Sequence, residues 1–399
     1  MKKRKVSLSS AIVMLVAGCL IGALVTAGIF SQAFISENGQ LLYSGLSIKQ
    51  IKIINEAASI INRYSIEEQD NEHTLDYALK GMAASLDDDY AYYFTPEELK
   101  EYNDSSSGTV QGGIGAGVQD VNGDITITDI YKSLTADAAG LKAGDIIRAV
   151  NDESVKGKSL SETVALVKGE TGTSVKITVE RDGKELAFNV MRGDGQRQMT
   201  EYRMIGKVLY IKINSFHGNV VEYFNKAIDF GVENMYEGIV IDLRENPGGE
   251  LNLFAEIADK MLPEGETFYA LDRYGNRTSV CRSDAGYIDK PVSVIINASS
   301  ASASEALAGA LRDMGNAKTV GVKSFGKGIM QTSIPLSNGG MFKLTTAKYY
   351  LPGGDCIHKK GIEPEYEVEL SEELTQKYWL RNDESDLQLK KAIEVLTEK

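Results

Sequence analysis

The sequence predicts an α/β core that follows a smaller, mostly-β domain, a helical N-terminal region and an apolar N-terminal segment. Strand-like and helix-like segments alternate between residues 207 and 351, which is the pattern of an α/β fold. Short β segments separated by turns occupy residues 110–192. An uncharged run of about 20 residues, 11–30, follows a basic cluster at the start of the chain.

Residues 11–30 are long enough to span a bilayer, and the basic residues before them are expected to stay inside. We therefore predict a basic cytoplasmic tail and transmembrane helix in residues 1–35, a single-pass anchor in the cell membrane with the body on the extracytoplasmic side. Two alternatives stay open. A cleaved signal peptide has a shorter apolar region, about 7–15 residues. Val-Ala-Gly-Cys, ending at Cys19, resembles a lipoprotein cleavage box, although apolar residues follow it.

The composition excludes several classes of function. The chain has 43 Lys and Arg against 56 Asp and Glu, whereas nucleic-acid binding needs concentrated cations, so we predict no nucleic-acid partner. Only Cys281 and Cys356 lie beyond the apolar segment, and the three histidines, His73, His217 and His358, are far apart in sequence. No Cys-x-x-Cys pattern occurs, so we predict no metal and no cofactor.

The region 36–106 is predicted to be helical because its apolar residues have helical spacing, as in residues 51–61. An acidic run, Leu-Asp-Asp-Asp-Tyr at 86–90, precedes a helix-start pattern at 95–98 and is interpreted as a solvated turn. A Ser-rich linker at 104–108 marks the boundary to the mostly-β domain.

Two segments of residues 107–195 carry a recognisable pattern. Ala-Gly-Leu-Lys-Ala-Gly-Asp-Ile-Ile at 139–147 resembles the most recurrent segment of PDZ domains, and Gly113, Ile114, Gly115 and Ala116 resemble their carboxylate-binding loop. Glycines let successive backbone N–H groups converge on a terminal carboxylate, while the flanking strand accepts the peptide as an added strand. The resemblance implies a domain that binds the C-termini of protein or peptide substrates.

The serine-rich segment 297–305 follows a predicted buried strand and precedes a predicted helix. Ser302 stands three residues before Glu305, the spacing of a capping box. A serine at a helix N-terminus also lies near exposed N–H groups, which favour an anionic transition state. A plain helix cap explains the segment equally well, and the local pattern does not choose among Ser300, Ser302 and Ser304.

A nucleophilic serine needs a base, and Lys327 is a better candidate than the histidines. A lysine held in a dry site loses much of its preference for the ammonium form, so its free amine can accept a proton. Gln331 lies four residues further on. In an extended segment both side chains point to one face, where the Gln331 amide oxygen could orient the amine. Taken alone, either residue is more simply a solvated loop residue.

The third segment, residues 242–249, lies at the C-terminal end of a predicted buried strand, where α/β sheets place their sites. Its Pro-Gly-Gly sequence predicts a tight turn with an N–H that can point at a developing oxyanion. An ordinary strand-to-helix turn is the alternative.

Together these segments resemble the carboxyl-terminal processing peptidases, or tail-specific proteases, from about residue 51 to 369. The resemblance implies a core, residues 196–369, similar to the crotonase and Clp protease folds, with an inserted PDZ domain and a helical tail, residues 370–399. It implies a serine endopeptidase that cleaves protein substrates near their C-termini through an acyl-enzyme. The implied site residues are the nucleophile Ser302, the base Lys327, its partner Gln331, the oxyanion donors Gly248 and Ala303, and at most a supporting Asp313.

Some members of that family dimerise through terminal helices, so the resemblance also suggests a homodimer. The chain departs from the family pattern at His358 and Lys359, where small or polar residues are usual. This departure concerns the rim of the site and not its chemistry.

Two other functions were compared with this one. Ser324 and Lys327 have the Ser-x-x-Lys spacing of penicillin-binding proteins, but the companion Ser-Asp-Asn and Lys-Thr-Gly sequences do not occur. A peptide-binding scaffold on an inactive core would lack part of the set Ser302, Lys327 and Gln331, and the sequence has all three.

Overall fold

The computed structural model describes residues 45–68, 70–106, 108–132 and 134–396. The apolar segment 11–30, and with it the choice among anchor, signal peptide and lipoprotein box, lies outside these residues. None of the helices described here is both long and apolar enough to cross a bilayer. The chain divides into two compact units, with the division between Ser85 and Leu86.

The first unit contains α1 (Ile48–Tyr64) and α2 (Asn71–Ala84). Both helices begin at side-chain caps, because the Ser47 hydroxyl accepts a hydrogen bond from the Gln50 N–H (3.3 Å) and the Asp70 carboxylate from the Glu72 N–H (2.9 Å). No side chain of α1 is buried, and several of its isoleucines are exposed.

Residues 86–106 belong to the second unit and contain a strand as well as a helix. β1 (Tyr92–Phe94) pairs antiparallel with β18 (Met341–Tyr350), and α3 (Pro96–Ser106) follows it. Tyr93 is completely buried at this junction. Of the described part of the predicted helical region 36–106, residues 48–64, 71–84 and 96–106 are helical, and the pairing with β18 gives residues 92–94 an extended conformation instead.

The PDZ-like domain is built on a six-stranded antiparallel sheet in the order β3-β4-β5-β7-β8, with β6 paired to β5. Every second residue of β7 is buried, as in a sheet with one face on the core. A separate antiparallel pair, β2 and β9, leads into and out of the domain. The elements are β2 (Thr109–Gly113), β3 (Ala116–Val121), β4 (Asp124–Ile130), α4 (Thr135–Ala139), β5 (Ile146–Val150), β6 (Glu153–Ser154), α5 (Leu160–Val167), β7 (Ser174–Arg181), β8 (Lys184–Met191) and β9 (Gly193–Gln196).

The core contains a six-stranded sheet in the order β10-β11-β12-β15-β16-β19, in which all neighbours are parallel except β10 and β11. Every residue of β12 and β15 is buried, which is typical of central strands covered on both faces. The elements are β10 (Thr200–Ile205), β11 (Val208–Ile213), α6 (Val220–Glu233), β12 (Gly238–Asp242), α7 (Leu251–Met261), β15 (Val292–Ile296), α8 (Ala303–Gly315), β16 (Lys318–Gly321) and β19 (Tyr366–Glu367).

Helices cover both faces of this sheet. α6, α7 and α8 form the large apolar cluster on one face, and α10 (Leu387–Glu394) covers the other with Leu389 and Ala392. A second, antiparallel sheet has the order β1-β18-β13-β14, with β17 paired to β18. Its remaining strands are β13 (Gly265–Asp272), β14 (Arg277–Ser283) and β17 (Ile329–Pro335). The predicted α/β core after a mostly-β domain is confirmed.

The tail, which also contains α9 (Glu372–Gln376), is tied to the core by a buried ion network. Arg244 is nearly inaccessible and donates to the Asp242 carboxylate (2.5 Å) and to the Asp386 carboxylate (2.7 Å). Removing one member of a buried pair leaves an uncompensated charge, which destabilises a protein by about 3–5 kcal/mol. The tail is therefore part of the core, and it fixes the strand end that leads to residues 245–249.

Candidate active site

Ser302 lies at the turn between β15 and α8, in a backbone conformation that is rare for residues other than glycine. Its φ of 59° and ψ of −117° correspond to about 1–3 kcal/mol of strain. The Tyr349 hydroxyl donates to the Ser302 carbonyl (2.9 Å), and the Ser302 N–H donates to the Glu305 carboxylate (2.9 Å). A sharp strand-to-helix turn presents the nucleophile in α/β-hydrolases. Here it leaves Ser302 partly exposed between the buried Ala301 and Ala303.

The two neighbouring serines have structural roles. The Ser300 hydroxyl donates to the Leu243 carbonyl (2.8 Å), and the Ser304 hydroxyl donates to the Asn246 carbonyl (3.0 Å). Both side chains are completely buried. They fasten the start of α8 to residues 242–249, which favours Ser302 as the nucleophile where the sequence pattern alone could not decide.

Gly248 lies directly beside Ser302. A Cβ atom on Gly248 would lie 2.8 Å from the Ser302 Cβ and 3.0 Å from the Ala303 nitrogen. Its φ of 102° is also unfavourable for other residues. Only glycine therefore allows residues 246–249 to approach the start of α8 this closely.

The N–H of Gly248 is already engaged, because it donates to the Asn246 side-chain oxygen (2.9 Å). The Gly248 carbonyl accepts hydrogen bonds from the Phe216 N–H (2.9 Å) and the Ser215 hydroxyl (3.1 Å). In a trans peptide the next N–H points opposite to this carbonyl, so the Gly249 N–H points away from Phe216. The oxyanion role of Gly248 and Ala303 stays a prediction, and the Gly249 N–H is a second candidate donor.

Lys327 has the properties of a lysine base. Burial lowers the pKa of its amine and Lys343 lowers it further, while Asp88 and Glu305 act in the opposite direction. The amine lies 4.4 Å from the centroid of the Tyr90 ring. Lys327 forms no ion pair with any of the described residues. A half-buried lysine without a bound carboxylate is suited to accept a proton.

The backbones of Ser302 and Lys327 are close together. Glu305 Oε2 accepts hydrogen bonds from the Ser302 N–H (2.9 Å) and from the Lys327 N–H (2.8 Å). Two groups that bond to one oxygen atom lie less than about 6 Å apart. The fold therefore brings the predicted nucleophile and the predicted base to one site, as the sequence analysis required.

Tyr90 is a residue of this site that the sequence analysis missed. The acidic run 86–90 was interpreted as a solvated turn, which holds for the exposed Asp87 and Asp89 but not for Asp88 and Tyr90, both partly buried. The Asp88 carboxylate accepts the Tyr90 N–H (3.0 Å) and shapes a turn that brings the ring to Lys327. The available signal was an aromatic residue at the end of an otherwise polar run.

Gln331 is not hydrogen-bonded to Lys327, and Lys327 is not hydrogen-bonded to the Ser302 hydroxyl, in the part of the chain that the structure describes. Gln331 instead donates to the Thr345 hydroxyl (3.3 Å). Lys327 precedes β17, which begins at Ile329, so the regular alternation of an extended strand on which the prediction rested does not extend to Lys327. The role of Gln331 stays a prediction.

Asp313 lies at the far end of α8, about 16 Å from Ser302 at 1.5 Å per residue. Its carboxylate accepts hydrogen bonds from the Gly353 N–H (2.9 Å) and the Arg312 side chain (2.7 Å). These contacts fasten the helix end to the turn at residue 353, so Asp313 has a structural role.

Two histidines that are far apart in sequence border the site. His217 Nδ1 lies 2.6 Å from the Ser215 hydroxyl, next to Gly249, and burial lowers its pKa. His358 packs against Gly328, beside Lys327. Neither is hydrogen-bonded to Ser302 or Lys327 in the described regions. No group of three His, Cys, Asp or Glu side chains there is arranged to hold a metal ion.

The predicted carboxylate-binding loop lines a groove of the PDZ-like domain. Gly113, Ile114, Gly115 and Ala116 border a cavity of about 190 Å³, together with residues of α5. Gly115 has a φ of 75°, and a Cβ atom there would lie 2.3 Å from the Leu134 Cβ, so glycine is required.

Two further features of the groove suit a peptide. Among the described strands β3 pairs with β4 alone, which leaves its other edge beside the groove. Lys168, just after α5, adds a cation that the sequence analysis did not assign. The groove can therefore offer backbone pairing and a positive charge to an extended chain with a terminal carboxylate.

A serine at a strained turn, a half-buried lysine and a second domain with a groove are the features expected of a serine peptidase with an accessory domain. Residues 207–368 match peptidase family S41, and residues 112–191 match the PDZ domain family. A "Probable CtpA-like serine protease" of Staphylococcus aureus (strain COL) is 35% identical over 358 residues, which cover 88% of this chain and 71% of the relative. The carboxy-terminal processing protease CtpB of Bacillus subtilis (strain 168) is 36% identical over 323 residues, covering 79% and 67%.

The chain belongs to the PDZ-containing carboxy-terminal processing proteases of peptidase family S41, and it is a serine peptidase. The photosystem II D1 C-terminal processing protease has the same fold, with a TM-score of 0.52 and 24% identity over 87% of this chain and 92% of that structure. The predicted family, and a mixed α/β fold with PDZ and protease domains, are thus confirmed.

Proposed function

We propose that this chain holds the free C-terminus of a protein substrate in its PDZ groove and cleaves the substrate with Ser302, activated by the amine of Lys327. The observation that carries the proposal is the shared acceptor Glu305 Oε2, which brings the backbones of Ser302 and Lys327 together. The lowered pKa of Lys327 supports a free amine at this position.

The chemistry follows from these groups. The Lys327 amine accepts the hydroxyl proton as Ser302 Oγ attacks the scissile carbonyl, and the resulting ammonium protonates the leaving amine. The N–H groups of Gly249 and Ala303 stabilise the tetrahedral oxyanion. Water then hydrolyses the acyl-enzyme with Lys327 again as the base. Gln331 gives up its hydrogen bond to Thr345 and then orients the Lys327 amine.

The PDZ groove supplies the recognition. The substrate's terminal carboxylate is held by the backbone N–H groups of residues 113–116, and the chain adds to the edge of β3. Ile114, Val118 and Val167 line the groove, so an apolar C-terminal residue fits it. Lys168 supplies a counter-charge for the carboxylate.

The direct test is the full chain incubated with a peptide library, with products identified by mass spectrometry beside the Ser302→Ala chain. We expect cuts near free C-termini that end in apolar residues, and none from the variant. Products from a folded Ser302→Ala chain would refute the nucleophile. Cuts that ignore the C-terminus would refute the PDZ part alone.

Location and partners complete the proposal. Residues 11–30 anchor the chain in the cell membrane, with the body on the extracytoplasmic side; membrane fractionation and protease accessibility in whole cells test this. The exposed isoleucine side chains of α1 are suited to a second copy of the chain. Light scattering of the full chain in detergent would give a dimer mass, which an Ile53→Lys and Ile60→Lys chain should lose.

A further inference from the structure

Glu305, in the first turn of α8, is a completely buried carboxylate that the catalytic steps above do not use. Oε2 accepts hydrogen bonds from the Ser302 and Lys327 N–H groups. Oε1 accepts hydrogen bonds from the Gly326 N–H (2.7 Å) and the Ser324 hydroxyl (2.5 Å). One side chain therefore joins the start of the nucleophile's helix to three residues of the loop that carries the base.

This arrangement is more demanding than a helix cap. Burial raises the pKa of Glu305, because a carboxylate loses its hydration, and hydrogen bonds from Ser324, Gly326 and Lys327 oppose the shift. A capping glutamate needs only the N–H at the helix start and can stay in water. The additional hydrogen bonds all come from residues 324–327. We therefore infer that Glu305 is buried in order to hold this loop.

We propose that Glu305 is the positioning residue of this active site: it fixes the loop 324–328 against the start of α8, so that the Lys327 amine is held within reach of Ser302. The inference rests on the proposed serine–lysine mechanism and adds a residue to it. Glu305 touches neither the substrate nor the reacting atoms and acts through main-chain N–H groups. Small displacements of a base are costly, since a misplacement of about 1 Å can cost 10²-fold in rate.

The charge of Glu305 gives this role a second readout. Among the described residues, four groups face the Lys327 amine: Asp88 and Glu305 raise its pKa, Lys343 lowers it, and the Tyr90 ring lies against it. Removing the Glu305 charge therefore lowers the Lys327 pKa further. Because the free amine is the active form, the rising limb of the pH–rate profile moves to lower pH.

The experiment compares Glu305→Gln, Glu305→Asp and wild type as full chains, with fluorescently labelled, denatured casein as the probe. Glutamine keeps the shape but replaces one acceptor oxygen by an NH₂ group that faces N–H donors. We expect kcat to fall about 10²-fold with little change in KM, and the rising pH limb to move to lower pH. Aspartate keeps the charge and shortens the reach, so kcat should fall while the limb stays in place.

Glu162→Gln is the matched control, since Glu162 also stands three residues after a capping serine, in the first turn of α5, and also accepts a main-chain N–H. Its kcat and pH limb should equal those of the wild type, and thermal unfolding establishes that each variant is folded. A folded Glu305→Gln chain with wild-type kcat, or with an unmoved limb, would overturn the proposal and leave Ser302 and Lys327 in their roles. An active Ser302→Ala or Lys327→Ala chain would instead overturn the proposed function.

If neither Glu305 variant folds, Ser324→Ala decides, because it removes one bond to Oε1 and keeps the carboxylate. A several-fold lower kcat in the folded chain would support the proposal. A wild-type kcat would overturn it.

Discussion

The helices α5 and α8 both begin with the sequence Ser-x-x-Glu, and the two starts are built differently. At α5, Ser159 has an ordinary extended conformation, with φ −68° and ψ 163°, and its hydroxyl accepts the Glu162 N–H (3.2 Å). The Glu162 carboxylate returns the bond by accepting the Ser159 N–H (2.7 Å), and both residues are exposed. At α8, Ser302 has a positive φ and Glu305 is buried.

The two glutamates show what separates the starts. Hydrogen bonds from Ser159 lower the pKa of Glu162, whereas burial raises the pKa of Glu305. Glu162 stays within its own helix start, and Glu305 bonds to a loop about 20 residues away in sequence. The same spacing therefore gives a cap at one place and an active-site frame at the other. The backbone turn and the distant partners decide which one forms.

The largest expected difference between the two starts is catalytic. Ser302→Ala should lower kcat on the order of 10⁶-fold, as loss of a nucleophile does, while Ser159→Ala should leave cleavage of labelled casein at the wild-type rate. Circular dichroism should show both chains folded. Activity in Ser302→Ala together with its loss in Ser324→Ala would instead favour the penicillin-binding type of site.

The base provides the next test, because α5 has no counterpart to Lys327. Lys327→Ala and Lys327→Arg should each lower kcat about 10²- to 10⁴-fold, since guanidinium does not give up its proton in a protein. In the wild type, kcat should rise with pH through one basic limb, below the ordinary lysine value of 10.5, because burial lowers this pKa.

Lys323→Ala is the matched control for Lys327, because Lys323 is an exposed residue of the same segment that pairs with Glu363. Its activity should be unchanged. Alanine at His217 or His358 should leave the chemistry intact as well. An inactive but folded His217→Ala chain beside an active Lys327→Ala chain would contradict the lysine mechanism.

The groove beside α5 should affect recognition, not chemistry. A peptide with a free apolar C-terminus should be cleaved with a kcat/KM about 10- to 100-fold higher than its C-terminal amide, because charge-assisted hydrogen bonds to the carboxylate are lost. In the Gly115→Ala chain the kcat/KM values of the two peptides should differ less, because Leu134 leaves no room for a Cβ and the carboxylate-binding loop must shift. Equal rates for the two peptides in the wild type would remove the PDZ domain from recognition.

The smallest effect concerns the ordinary cap. Ser159→Ala should lower the free energy of unfolding by about 1 kcal/mol, because an N–H at the start of α5 loses its acceptor. Chemical denaturation of the full chain, followed by fluorescence, measures this change. A destabilisation of several kcal/mol would mean that Ser159 also stabilises contacts outside its own helix. The starts of α5 and α8 would then differ less than proposed.

The fold was predictable because the order of apolar and polar residues in each strand indicates which of its faces are buried. β12 and β15 are apolar throughout and central, while β7 alternates and covers one side of a core. Residues 92–94 were not recognised as a strand, since three residues carry little periodicity and their extended form depends on pairing with β18.

The site was predictable only in part. Ser302 and Lys327 were assigned through the family resemblance, because the roles of Ser300 and Ser304 depend on carbonyls some 60 residues away in sequence. The hydrogen bond that the Gly248 N–H donates to the Asn246 side chain could not be predicted from the sequence. The start of β17 at Ile329, after Lys327, could not be predicted from the sequence either, since the strand is defined by its pairing with β18.

The positive φ of Ser302 sets stability and activity against each other at a single residue. Any side chain at this position retains the backbone strain, and only glycine would relieve it. A screen that reads melting temperature alone would therefore select Ser302→Gly, a chain that is easier to keep folded and unable to attack a peptide bond. The same substitution is expected in any descendant of this protein that no longer has to cleave its ligands. Glycine at this turn would therefore identify relatives that have kept the binding groove and lost catalysis.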